Sequence, residues 1–229
     1  MAKNSEIADG IERRTTADFV FERLHEDIVS LKILPGSKLS EVEVARRFGV
    51  SRQPVRDAFA RLGNQDLLVI RPQKATEVRS FSMEQISHAR FVRLAVELEV
   101  IRCACIDPDE TVAPAIEINL ELQRAAIESE HSDRFHDLDY DFHRLICEYG
   151  RRPLAFETIK ECKQKIDRLC VLSLTRDSRA TTLVEDHCEL IKAIHDGSVD
   201  EALIVARRHL ERLDETISLI HKTHAEYFE

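Results

Sequence analysis

Four residues in the second half of the chain carry donor types suited to a metal site. Asp139 and His143 stand four apart, and His187 and His209 follow on two later segments. Residues at i and i+4 share one helix face, so Asp139 and His143 can meet a single ligand. One carboxylate and three imidazoles from three helices are what a bundle core can offer a divalent cation. Softness and geometry suit zinc, nickel or manganese without separating them. The same spacing also fits a surface Asp–His contact, with a hydrogen-bonded core histidine at 209. Arg93 interrupts an apolar stripe between Ala89 and Val96. Turned inward, its guanidinium can grip a carboxylate ligand in two parallel hydrogen bonds. Glu97, four residues on, offers it an internal salt bridge instead.

A second group of chemistry-bearing residues lies near the start. The stretch from Leu39 to Leu62, LSEVEVARRFGVSRQPVRDAFARL, reads as two short helices joined by a tight turn. Ser40 with Glu43 forms a capping box, and Val42, Ala45 and Phe48 make an apolar stripe. Gly49 ends the first helix and Ser51 caps the second, whose buried seam is Val55, Phe59 and Leu62. Arg52, Gln53 and Arg56 face away from that seam. This is the layout of a helix-turn-helix whose second helix enters the major groove by its N-terminal end. Arg52 and Arg56 are candidates for bidentate reading of guanine edges, supplemented by Ser51 and Gln53. Lys38, Arg46 and Lys74 suit phosphate contacts, which position a domain without reading sequence.

These groups must be held by a scaffold, and 229 residues at 43% hydrophobic and 33% charged content are enough for two real cores. The net charge of -9 is unevenly spread. Residues 1–80 carry 14 Lys/Arg against 12 Asp/Glu, whereas residues 81–229 carry 19 against 30. A near-neutral front and an acidic rear suit a DNA-contacting domain on a body that does not touch DNA, although ordinary solvation gives such patterns too. The chain has no run of about 18 apolar residues and no apolar leader, so no membrane span and a cytoplasmic location are expected. Six scattered cysteines lack a disulfide framework, and most read as reduced core thiols.

Residues 1–15 are polar and read as frayed; a helix runs from Thr16 towards Leu34 on Phe19/Val20, Leu24, Ile28 and Leu31, ending at Pro35-Gly36. Leu67–Ile70 and Thr76–Val78 form a two-stranded wing, with Asp66 at a left-handed turn position. Beyond Val78 the pattern turns helical throughout. Ser82 with Gln85 opens a helix carrying Ile86, Ala89, Val96 and Val100, followed by helices near 114–127, 132–149, 154–174, 181–195 and 199–221, with a bend at Thr175 to Ala180. The expected fold is mainly α: a winged helix-turn-helix over 1–80 and an antiparallel six-helix bundle over 81–229.

The stretch LHEDIVSLKILPGSKLSEVEVARRFGVSRQPVRDAFARL resembles the GntR family of bacterial winged-helix transcription regulators, in its FadR-like branch. The rear resembles the FCD ligand-binding domain through Arg93 with Glu97, DYDFH at 139–143, DHCELIKAIHDG at 186–197 and ARRHL at 206–210. Six rear helices resemble its VanR-like group. The resemblance implies a homodimer on a palindromic double-stranded DNA operator, released by a small organic acid, with dimerisation and effector binding in the rear domain. It further implies a divalent metal, zinc ahead of nickel or manganese, on Asp139, His143, His187 and His209. Arg93 and Arg151 are then the expected effector contacts.

Some positions depart from the family's pattern. Val42 replaces a frequent arginine, Gln73-Lys74-Ala75 lacks the usual wing-tip glycine, Asp66 replaces a glycine, and Arg151 stands where asparagine is common. Two other functions suit the same residues. A metal held by three histidines and an aspartate can activate water in a hydrolase or lyase acting on a small organic acid, or the metal can itself be the signal.

Overall fold

The computed structural model of the protein describes residues 15–129, 132–172 and 180–229, with the backbone alone at 132–133. The frayed start and the bend near 175–180 expected from sequence fall almost wholly outside them. The chain divides into two compact units between Ser80 and Phe81.

In the front unit, α1 (Thr16–Val29) begins at a full capping box. The Thr15 hydroxyl accepts from the Asp18 amide, and the Asp18 carboxylate accepts from the Thr15 amide at 2.9 Å. Val20, Leu24 and Ile28 are buried, but the helix stops before Leu31, which takes φ 59°. The helix-turn-helix is α2 (Glu41–Phe48) and α3 (Arg52–Asn64), with Gly49 at φ 66° closing the first. That left-handed conformation is one glycine adopts without steric cost.

Val55, Ala58, Phe59 and Leu62 form the buried seam of α3. Two details of the turn differ from expectation. Ser40 and Ser51 occupy the cap positions, yet neither hydroxyl makes a capping hydrogen bond. The inner face of α2 is Val44 with Ala45, while Val42 is 47% exposed.

The wing has a third strand. β1 (Lys38–Leu39), β2 (Leu68–Val69) and β3 (Thr76–Val78) pair antiparallel in the order β1-β3-β2. Leu39 lies opposite Thr76, and Leu68 opposite Val78. Asp66 does adopt a left-handed conformation (φ 62°), held by Arg79 at 3.0 Å. At the tip, Gln73 supplies the positive φ that glycine would give more cheaply.

The rear unit contains α4 (Met83–Ile106), α5 (Ala113–Glu128), α6 (Ser132–Tyr149), α7 (Ala155–Cys170), α8 (Ala180–His195), α9 (Val199–Glu211) and α10 (Asp214–Thr223). The single last helix expected from sequence is broken at Arg212–Leu213. Both junction residues stay right-handed helical, and the Arg212 amide bonds to the His209 carbonyl three residues back. That tighter bond bends one rod into two segments.

Helix α4 packs on α7 and α9, and α5 packs on α6 and α8. Gly150 lets α6 reach α4 closely, because a Cβ there would lie 2.8 Å from the Val100 carbonyl oxygen. The C-terminal residues return to the start of this unit, with Phe81 and Tyr227 joined by a 2.8 Å backbone bond. Among the cysteines only Cys147 is fully buried, and the others are half-buried. Among the described residues, no helix is long and apolar enough to cross a membrane.

Candidate metal centre and nucleic-acid interface

Periodicity brings the four expected ligands inward. Asp139 and His143 occupy the inner face of α6 beside Phe142, His187 lies on α8, and His209 lies on α9. All four are buried, and one ligating atom from each lies within 4.8 Å of the others. Neighbouring side chains fix two of the rings: Glu97 Oε2 lies 2.8 Å from His143 Nδ1, and Gln123 Oε1 accepts from His187 Nδ1 at 2.9 Å. Asp186 Oδ2 is 3.6 Å from His209 Nδ1, which makes no hydrogen bond. Phe142 stacks on the His187 ring with centroids 3.9 Å apart.

The cluster passes a chemical test as a cation site. His187 Nε2 is fully buried, has no hydrogen-bond partner, and lies 3.6 Å from Asp139 Oδ1. Leaving a buried polar atom unsatisfied costs about 1–3 kcal/mol, which a bound cation would relieve. Burial, and then the neighbouring His209, keep His187 neutral well below the ordinary histidine range, and burial lowers His209 too. Neutral imidazoles are the form a metal requires. Burial would raise the Asp139 carboxyl, but Lys163 Nζ at 2.8 Å holds it well below the usual carboxylate range. Three nitrogens, one oxygen and ring partners on Glu97 and Gln123 fit a divalent ion.

The two expected effector contacts part company. Arg93 is buried on α4, with Nε donating to Glu97 Oε1 at 2.6 Å and Nη2 lying 3.0 Å from His143 Nε2. It therefore makes the internal salt bridge and also reaches the cluster. Arg151 is half exposed in the turn after α6, where it contacts the Pro108 carbonyl, Asp107 and Asp109. The structure does not bring it to Arg93. Its φ of 55° is a left-handed conformation, which asparagine tolerates better than most residues, so asparagine at this position has a backbone rationale.

In the front unit, Ser51, Arg52, Gln53 and Arg56 are all exposed at the opening of α3. Sequence reasoning missed Glu41. Its carboxylate accepts from Arg52 at 2.6 Å and from Arg56 at 2.9 Å, holding both guanidinium groups together. Those hydrogen bonds, Arg52's first, lower the Glu41 carboxyl below its ordinary value. Gln53 is turned to Asp57 at 2.9 Å. Lys38 is exposed on β1, Arg46 on α2 and Lys74 at the wing tip.

Other residues unforeseen from sequence surround the rear cluster. Lys163 bridges Asp139 and Asp167, Gln123 orients His187, and Asp186 collects Arg208 and Arg212. Polar residues on the inner faces of helices were the available signal for Gln123 and Lys163.

A winged helix-turn-helix in one chain with a helical bundle that can hold a ligand defines a DNA-binding transcription regulator. The chain belongs to the GntR family: residues 16–78 match the bacterial regulatory proteins of the gntR family, and residues 89–212 match the FCD domain. It is 35% identical over 209 residues to the HTH-type transcriptional repressor RspR of Escherichia coli K12, covering 91% of this chain and 92% of that protein. A transcriptional regulator GntR from Rhodococcus sp. RHA1 has the same fold (TM-score 0.68, 18% identity, 91% of this chain and 98% of that one). So does McbR/YncC of E. coli (TM-score 0.67, 17% identity, 92% and 99%). The protein is a transcription regulator and not an enzyme.

Proposed function

We propose that the protein is a cytoplasmic, homodimeric repressor released from a palindromic operator by a small organic acid bound beside a divalent metal. The observation that carries this reading is the group of four buried ligating atoms within 4.8 Å of one another, next to buried Arg93. Asp139, His143, His187 and His209 would hold the ion, zinc first and nickel or manganese as alternatives. When bound, it supplies a fixed positive charge that orients the acid's carboxylate.

Arg52 and Arg56 read bases, Ser51 and Gln53 assist them, and Lys38, Arg46 and Lys74 contact phosphates. One winged-helix unit offers too little contact for firm binding, so two half-sites and a dimer follow. The rear unit, residues 81–229, carries dimerisation and effector binding, and the front unit, residues 1–80, carries DNA binding. The similarity to RspR, a transcriptional repressor, supports repression. Placement in the FadR-like branch and its six-helix group rests on the sequence resemblance, with α9 and α10 counted as one rod bent at Arg212–Leu213. The effector must favour one arrangement of the dimer over another, or it switches nothing.

Calorimetric titration with zinc tests the site. One tight equivalent is expected for the wild type, lost in Asp139→Ala and His209→Ala. Unchanged binding in both variants would remove the site. A titration arm in which zinc alone, without acid, releases DNA would instead make the cation the signal.

A further inference from the structure

Arg93, Glu97 and His143 close a ring of hydrogen bonds inside the bundle. Glu97 takes Arg93 Nε on one oxygen at 2.6 Å and meets His143 Nδ1 with the other at 2.8 Å. An ionised carboxylate only accepts, so the His143 proton sits on Nδ1 and the lone pair on Nε2. That lone pair faces Arg93 Nη2 at 3.0 Å. A guanidinium has no acceptor atom, so Arg93 is the donor in this contact. The same Nε2 lies 3.9 Å from Asp139 Oδ1, on the side where the other ligating atoms gather. Nδ1 is turned to Glu97, which leaves Nε2 as the atom His143 can give to a cation.

One lone pair has two claimants. We propose that Arg93 and the divalent cation compete for His143 Nε2, so that cation loading frees a guanidinium edge to take an organic anion. This rests on the metal reading above and adds an order of events to it. A cavity of about 30 Å³ adjoins Arg93, lined also by Arg90, Leu94, Ile166, Leu210, Glu211 and Leu213. Space of that size holds roughly two water molecules. Glu97 keeps its hold on His143 Nδ1 throughout, which preserves the ring's orientation as a ligand. Because the cation must first dislodge Arg93, and an anion on Arg93 removes the competitor, the two bind with positive coupling. Linkage makes that coupling reciprocal.

The test is zinc affinity of the full chain, measured by competition with a chromophoric chelator and without any acid. Arg93→Met removes the competitor. Arg93→Lys keeps a cation against Glu97 but loses the planar fork that presents Nη2 to His143 Nε2 while Nε holds Glu97. Both variants are expected to bind zinc roughly tenfold tighter or better than wild type, the scale of one charge-assisted hydrogen bond. Zinc affinity unchanged or weaker in Arg93→Lys overturns the competition. Tightening in Arg93→Met alone overturns it too, because charge removal then explains the effect. If Arg93→Met does not fold, Arg93→Lys decides. Absence of zinc binding in the wild type and in both variants removes the metal reading itself.

Discussion

The two units hold their working charges in opposite ways. In the front unit, Arg52 and Arg56 are 55% and 52% exposed and share the partly exposed carboxylate of Glu41. In the rear unit, Arg93, Glu97, Asp139 and Lys163 are buried and paired among themselves. Exposed ion pairs are worth about 0–1 kcal/mol, so a DNA strand can take the front arginines from Glu41 at little cost. Breaking a buried pair costs about 3–5 kcal/mol, so the rear network rearranges only for a ligand that supplies matching charge. The front arrangement suits reading a polymer reversibly, and the rear suits a selective switch.

The largest expected effect probes that contrast directly. Glu97→Ala strands Arg93 in the interior and should lower stability by about 3–5 kcal/mol in urea unfolding. Glu41→Ala should cost less than about 1 kcal/mol. Equal costs would erase the distinction between the units.

Close packing of the rear gives the next test. Gly150→Ala drives a methyl against the Val100 carbonyl and should destabilise by about 1–3 kcal/mol, seen as a lowered thermal midpoint. For the front, Arg52→Ala and Arg56→Ala should each weaken binding to a DNA duplex recovered by selection from random sequence. The expected loss is roughly ten- to hundredfold by fluorescence anisotropy, with the thermal midpoint unchanged.

The smallest effect concerns the exposed cap of α1. Hydrogen bonds from the Thr15 hydroxyl and amide, then from Arg61, lower Asp18 from 3.8 to about 2. The folded chain therefore takes up this proton less readily than the unfolded chain does. The contribution of Asp18 is whole above its ordinary 3.8 and is lost as pH falls through about 2. Unfolding midpoints of wild type and Asp18→Asn, compared from about pH 5 down to about pH 2, should converge at the acid end.

The recognition helix was legible because Val55, Phe59 and Leu62 repeat at helical spacing over several turns. The shorter α2 admits two stripes, and its packing selects Val44 over Val42. Strand β1 is two residues long, below any periodic signal. The four candidate ligands could be named from residue type and the i,i+4 pair. Their supports could not, because Lys163, Gln123 and Asp186 meet them only where separate helices pack. Glu41 was hidden for the same reason, since its hold on Arg52 and Arg56 depends on the angle between α2 and α3. At Arg151 the left-handed backbone is a property that the residue type does not announce.

Anisotropy of a selected duplex bound to the full chain, followed as zinc and then a panel of small sugar and other organic acids are added, tests the central claim most directly. Wild type should release DNA on adding one of the acids when zinc is present. Asp139→Ala should bind the duplex as tightly and stay bound. Equal release of DNA from Asp139→Ala by the same acid would contradict the account.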